Sequence, residues 1–291
     1  MRRLAIINPA SGNSRIGRLQ QRIIDRLKSV ADDCFITRYP GHCKEAAREA
    51  SEYDGLIAVG GDGTVGEVIN GMDLDRQNLA IIPTGTGNSL ARDFGMRTIE
   101  SGIDRARNGK PVTIDLIQFY FVNSQNGIQR RYGASTASVG YAARVTQQAT
   151  RRFKSLGALC YPAASLACVL GPQRFKTTIS YDNGPSFCTQ LTCIMVQNAR
   201  HAANFELFPT ALVNDGFFDV MELSTSAIQQ ITHNISVLSK LPFYRPGILR
   251  RIKSMHLTND APQLLMIDGE LFPDVSKVQI TICQGKLKCY R

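Results

Sequence analysis

Leu56-Ile57-Ala58-Val59-Gly60-Gly61-Asp62-Gly63-Thr64-Val65 decides the fold of this 291-residue chain. Leu56 to Val59 reads as a short buried strand, and Val65 to Asn70 restarts a helix-like pattern. Between them, Gly60, Gly61 and Gly63 free the backbone to take positive φ and leave no side chain in the way. Backbone N–H groups can then line a concavity, to which the following helix adds its positive end. A phosphate chain fits such a place. Asp62 brings the negative charge that a magnesium-linked triphosphate needs, and the Thr64 hydroxyl can donate to a phosphate oxygen. A tight turn with Thr64 as helix cap would need neither three glycines nor a carboxylate among them.

Two further junctions of the same kind flank this one. Pro83-Thr84-Gly85-Thr86-Gly87-Asn88 follows the buried run Leu79 to Ile82 and precedes a helical segment, Ser89 to Phe94. Asn8-Pro9-Ala10-Ser11-Gly12 follows the strand-like run that begins at Arg3. A helix patterned on Ile16, Leu19, Ile23, Ile24, Leu27 and Val30, a strand at Cys34 to Thr37 and an Ala-rich helix at Lys44 to Ser51 complete an alternation of strand and helix. That alternation predicts a parallel sheet wrapped by helices. Parallel strands present their C-terminal ends on one edge, so the three turns should face a single crevice.

Beyond about Val112 the pattern changes to strands bounded by Gly, Asn or Asp turns. The runs are Val112 to Val122, Arg131 to Ala137, Thr177 to Tyr181, Leu191 to Val196, Phe217 to Leu223, Gln263 to Ile267 and Val278 to Cys283. They predict an antiparallel sandwich or barrel with helical insertions at 143–170 and 226–241. In the second insertion Ile228, Ile231, Ile235, Leu238 and Leu241 form an apolar stripe that reads as core. The most apolar stretch, Leu156 to Leu170, is too short to cross a bilayer and reads as a buried or surface-seeking segment. With no signal-peptide pattern after Met1, a cytoplasmic or peripherally membrane-associated protein is expected.

The formal net charge of +10 attracts polyanions or anionic lipid; basic residues cluster at Arg151, Arg152 and Lys154 and at Arg245, Arg250, Arg251 and Lys253. Eight cysteines without paired spacing read as reduced, small apolar side chains. The four histidines show no mutual ligand spacing. Asp268-Gly269-Glu270 would set two carboxylates on one side of a strand, since side chains repeat with period two; a hairpin turn with solvent-facing acids is the competing reading.

The order Asn8-Pro9…Gly12, Thr37…Gly41-His42, Gly60-Gly61-Asp62-Gly63-Thr64 with Glu67 and Asn70, then Pro83…Gly85-Thr86-Gly87-Asn88, resembles the diacylglycerol kinase catalytic domain. That family includes bacterial lipid kinases and the sphingosine and ceramide kinases. Asp215-Gly216-Phe217-Phe218-Asp219-Val220 and Asp268-Gly269-Glu270 resemble its later motifs. The resemblance implies an N-terminal NAD-kinase/phosphofructokinase-like α/β domain at 1–115 and a C-terminal β-sandwich lipid-binding domain at 116–275. The segment 276–291 would pack back onto the first domain.

It implies that Asn8, Thr37, Gly60, Gly61, Gly63, Thr64, Glu67, Gly85, Thr86 and Asn88 bind ATP and that Asp62 holds catalytic Mg2+ through water. Glu270 would be the general base with Asp268 beside it, while Asp215 and the Phe217 backbone carbonyl would form a structural Mg2+ site. The partners expected are ATP, a membrane lipid such as diacylglycerol, phosphatidylglycerol or a sphingoid or ceramide lipid, and an anionic membrane surface. A homodimer is compatible with the sequence, and nucleic acid is not expected. Two departures stand out: Ser89 replaces the family's Asp after the Asn, and Ala202-Ala203-Asn204 replaces a glycine run. The alternatives are an NAD kinase, which shares Gly-Gly-Asp-Gly-Thr but not the second turn, and a catalytically weak lipid-binding relative.

Overall fold

In chain order the elements are β1 (Arg3–Ile7), α1 (Arg15–Leu27), β2 (Asp33–Ile36), α2 (His42–Glu49), β3 (Gly55–Gly60), α3 (Asp62–Ile69), β4 (Asn78–Pro83), α4 (Ser89–Asp93), α5 (Ile99–Asn108), β5 (Pro111–Asn123), β6 (Gly127–Gly133) and β7 (Thr136–Gly140). Then come α6 (Tyr141–Arg151), a 3-10 segment (Lys154–Leu159), α7 (Cys160–Val169), β8 (Phe175–Tyr181), β9 (Phe187–Leu191), β10 (Cys193–Gln197), β11 (His201–Ala202), β12 (Phe205–Glu206), β13 (Phe218–Leu223), β14 (Gly247–Ile252), β15 (Ser254–Ile267) and β16 (Glu270–Tyr290). A computed structural model describes residues 1–12, 15–124, 127–169, 174–202, 205–226, 228–232, 234 and 247–291.

The N-terminal strands β2, β1, β3 and β4 pair in that order, all parallel. β3 and β4 are buried along their whole length, as a parallel sheet covered on both faces requires. Ile57, Val59, Ala80 and Ile82 pack toward α1 and α5; Leu56, Ala58, Leu79 and Ile81 pack toward α2 and α3. Helix α5, absent from the sequence reading, is capped by a reciprocal Thr98–Ser101 hydrogen-bond pair. Its Gly102 reads as a breaker, yet a Cβ there would stand 2.9 Å from the Ile81 carbonyl oxygen. The glycine lets α5 lie directly on β4.

The remaining strands are antiparallel. β14, β13, β10, β7 and β15 form one layer, and β6, β5, β16, β15, β8 and β9 the other. Phe119, Phe121, Val196, Phe218, Leu257 and Ile280 belong to the core cluster between them. β15 and β16 serve both layers because bulges at Thr258/Gln263 and Val275/Lys277 interrupt their register and bend them. The sequence shows only short pieces of these two strands. The end of β16 pairs in parallel with β4 through Lys288–Asn78 and Cys289–Leu79, so among the described residues one 14-stranded sheet runs through both parts.

The Ile228/Ile231 stripe does not read as the sequence suggested. Ile228 is 77% exposed and Ile231 38%, while Gln230, on another side of the same turn, is buried. Ile235, Leu238 and Leu241 lie outside the described residues.

Candidate active site

The three strand-to-turn junctions meet at one edge. Asn8 N–H donates to the Val59 carbonyl (3.0 Å) and Thr84 N–H to the Gly60 carbonyl (2.9 Å). Asn8 Nδ2 donates to Thr64 Oγ1 at 2.9 Å. The two Gly-rich turns lie backbone on backbone: a Cβ on Gly85 would stand 2.4 Å from Gly61 Cα. A Cβ on Gly60 would collide with Thr64, so the glycine lets α3 begin immediately after β3. Asn88, in the left-handed region at φ 54°, closes the second turn. Its Oδ1 accepts from Gly85 N–H (3.0 Å) and its Nδ2 donates to the Gly85 carbonyl (2.7 Å). Gly85→Val is therefore expected to separate the turns and abolish nucleotide binding, with a lowered Tm as well. Unchanged ATP affinity by calorimetry would rule this crevice out.

Asp62 is the first residue of α3, where a carboxylate is favoured by the helix dipole. It accepts from Ser89 N–H at 2.6 Å and from Ser89 Oγ at 3.4 Å. Ser89, the departure from the family pattern, thus donates its hydroxyl to Asp62, which an ionised aspartate there could not do. Burial, aided by the nearby Asp268 carboxylate, pushes the Asp62 carboxyl up to about 7.

Asp268 and Gly269 form the two-residue turn joining β15 to β16, both with positive φ (46° and 90°), and Ile267 pairs with Glu270 across it. The two acids therefore do not share one side of a strand. The competing hairpin reading holds for the backbone but not for both side chains, because Asp268 is only 3% exposed. Its Oδ2 accepts from Ala134 N–H (2.6 Å), and its Oδ1 from Ser135 N–H (3.1 Å) and Thr136 N–H (2.9 Å). The turn lies against the start of α3, 3.9 Å separating a Gly269 Cβ from Gly63 N. Glu270 points elsewhere, its Oε2 lying 3.7 Å from Arg131 Nε. Burial raises its carboxyl, while Arg131 and Lys44 pull it down.

A cavity of about 460 Å3 joins these turns to an apolar chamber. Asn8, Gly61, Gly63, Thr64, Gly85 and Thr86 line one end, with Asp62 and Asp268. Tyr141, Val145, Ala149, Tyr161, Met195 and Leu223, from α6, α7, β10 and β13, line the other. The sequence did not single out this second wall, whose residues look like ordinary core. Tyr161 connects the two ends: burial raises its phenol, and it lies close enough to Asp62 to feel that charge as well.

Not every candidate reaches the cavity wall. Glu67 does, yet its carboxylate also accepts from Gly41 N–H (3.1 Å) and Cys43 N–H (3.2 Å), holding the start of α2. Thr37 donates to the Ile7 carbonyl and is buried behind the sheet edge. Gly60, Thr37, Asn88 and Glu270 are not part of the lining.

Residues 2–119 match the family model of the diacylglycerol kinase catalytic domain. The diacylglycerol kinase of Bacillus subtilis is 31% identical over 241 residues, 79% of this chain and 76% of that one. The chain belongs to the diacylglycerol kinase family. The diacylglycerol kinase of Mycobacterium tuberculosis is likewise 31% identical, over 74% of this chain and 71% of that one. A crystal structure of a diacylglycerol kinase from Bacillus anthracis shares the fold, with a TM-score of 0.76, 24% identity and coverage of 99% of this chain and 96% of that one. Family membership makes the protein a lipid kinase, and its two-part α/β and β-rich architecture is that of the family.

The residues beside the Gly-rich turns fit the family's magnesium. Among the described residues no group of three or more His, Cys, Asp or Glu could hold a metal alone. Magnesium in phosphoryl-transfer sites needs only one or two carboxylates, with phosphate and water completing its shell. Asp62, beside the Gly-rich turns, fits that requirement. At Asp215, Oδ1 accepts from Phe217 N–H (3.0 Å) and the Arg251 guanidinium stands beside Oδ2 and 5.4 Å over the Phe217 ring.

Proposed function

We propose that the protein transfers the γ-phosphoryl group of ATP to a hydroxyl of a membrane lipid: diacylglycerol, phosphatidylglycerol, or a sphingoid or ceramide lipid. The observation carrying this is the single cavity, polar at the Gly-rich turns and apolar beyond Tyr161. A phosphate chain and a lipid hydroxyl can meet there beside Asp62. An NAD kinase would have no use for an apolar chamber joined to its Gly-rich turns.

The backbone N–H groups of Gly61 and Gly63 would hold the phosphates, and the α3 N-terminus would favour their charge. Asp62 would hold Mg2+, which supplies charge neutralisation of the transferring phosphoryl group. The lipid oxygen attacks the γ-phosphorus, the bond to the β-phosphate oxygen breaks, ADP leaves, and the hydroxyl proton passes to a carboxylate; Glu270, the proposed base, would have to turn from Arg131 toward the cavity to take it. Asp268 would set the hairpin that places Glu270. These steps are mostly positioning and electrostatics.

The test incubates the protein with labelled ATP and Mg2+ and separately with diacylglycerol, phosphatidylglycerol, ceramide, sphingosine and NAD. Label in one lipid class is the expected result. Label in NAD alone would replace this reading, and label in none would leave a lipid-binding relative.

A further inference from the structure

Five of the large apolar side chains left exposed fall in two helical segments that also wall the cavity. Leu156 is 48%, Leu159 65% and Leu166 70% exposed, on the 3-10 segment and α7; Ile228 is 77% and Ile231 38% exposed, on the turn that carries Gln230. The inner sides of the same segments supply Cys160, Tyr161, Ser165, Gln230 and Asn234 to the lining.

The two segments are neighbours. The Tyr141 hydroxyl donates to the Ser165 carbonyl at 2.8 Å and accepts from Asn234 Nδ2 at 3.0 Å. Gln230 Nε2 donates to Asn234 Oδ1 at 3.2 Å. Helix α7, Cys-Tyr-Pro-Ala-Ala-Ser-Leu-Ala-Cys-Val, holds no charged residue in ten. A helix apolar on all sides belongs in a core, yet this one presents Leu166 and Ala167 outward. At its N-terminal approach stand the exposed Arg151 and Arg152.

We infer that this face, Leu156, Leu159 and Leu166 with Ile228 and Ile231, docks onto an anionic lipid bilayer. The inference rests on the reading of the cavity as a lipid site. The occupant follows from what adjoins the patch: a chamber open on its inner side to an apolar guest, and guanidinium groups beside it that match anionic headgroups. The leucines enter the acyl boundary and the arginines stay at headgroup level. A lipid then reaches the cavity from the bilayer along α7, which faces both.

The chain contains no tryptophan, so one introduced Trp is a unique reporter. Leu159→Trp and Leu166→Trp are made singly, with Ile128→Trp as control; Ile128 is 78% exposed on β6, outside the cavity wall. The probe is vesicles of mixed phosphatidylglycerol and phosphatidylcholine. Emission from the reporters at positions 159 and 166 should shift to the blue on vesicle addition, while that from position 128 stays unchanged. The double variant Leu159→Ser/Leu166→Ser should keep its Tm and lose at least about tenfold in vesicle pelleting. Pelleting of the unaltered chain should fall as salt rises.

Unshifted emission from positions 159 and 166 would overturn the inference, whether or not the protein pellets. A blue shift without vesicles that disappears on dilution would overturn it too, showing that a second copy covers the face. Kinase activity does not enter these readouts, so a chain that docks but labels no lipid would refute the proposed reaction and leave the docking face standing.

Discussion

Asp62→Asn is expected to lower turnover by about 10³-fold or more and, at pH 8 without magnesium, to raise the Tm. Both effects come from the same carboxylate. In the proposed reaction it is the protein charge that answers the metal-linked phosphates, and removing such a preorganised electrostatic partner typically costs this much. Its folded-state carboxyl sits near 7 against an ordinary 3.8. The folded protein therefore binds this proton more tightly than the unfolded chain does. The stability that follows is fully present below about pH 4 and is lost as pH rises toward 7. Above 7 the unaltered protein holds a desolvated carboxylate beside Asp268. The Asp62→Asn variant would hold no charge at that position and would keep an oxygen for Ser89 N–H. The Tm gap between variant and parent should therefore be largest at pH 8 and close as pH falls toward 4. Saturating Mg2+ with ATP should narrow it at pH 8. Normal turnover in the variant would remove the catalytic role, and a Tm gap independent of pH would show that Asp62 carries no such desolvation cost.

The convergence of the Gly-rich turns was legible because glycine and strand spacing are local signals, although Gly60, Gly61 and Gly85 serve close approach and neither they nor Gly63 have the positive φ expected of them. Gly60, Gly61, Gly85 and Asn88 lie within short stretches, and the parallel-sheet rule alone brings their turns together. The Asp268–Glu270 pair was misread for an equally local reason. Period-two logic holds within a strand, but Asp268 and Gly269 have positive φ and form the turn between two strands. Only the tertiary pairing of Ile267 with Glu270 shows this. The apolar wall was invisible because Tyr141, Val145 and Met195 have the composition of any core; a cavity is an absence of packing, and no residue type encodes it. β15 and β16 were underestimated because polar residues alternate along them and bulges break the alternation. The exposed Ile228 and Ile231 have the spacing of a buried stripe, and spacing gives a face without saying what covers it.

Glu270→Gln separates the two acids of the hairpin, and its expected cost is about 10²–10⁴-fold in turnover with ATP affinity and Tm nearly unchanged. The two carboxylates differ in what their oxygens already do. Both oxygens of Asp268 are occupied by three backbone N–H groups from Ala134, Ser135 and Thr136. An amide there would turn an NH2 toward N–H donors, so Asp268→Asn should lower the Tm, disturb the hairpin and reduce turnover as a consequence. Glu270 has one oxygen toward Arg131 at 3.7 Å, too far for a strong hydrogen bond, and its side chain is 45% exposed. Partial burial raises its carboxyl against the pull of Arg131 and Lys44. Glu270→Gln keeps the shape and the Arg131 contact while removing the proton acceptor, so only turnover should respond. If instead the variant turns over the best lipid substrate at the full rate, Glu270 is not the base. Asp62, whose carboxyl titrates near 7 and which lies on the cavity wall, then becomes the proton acceptor to test, by the pH dependence of turnover in the Glu270→Gln background.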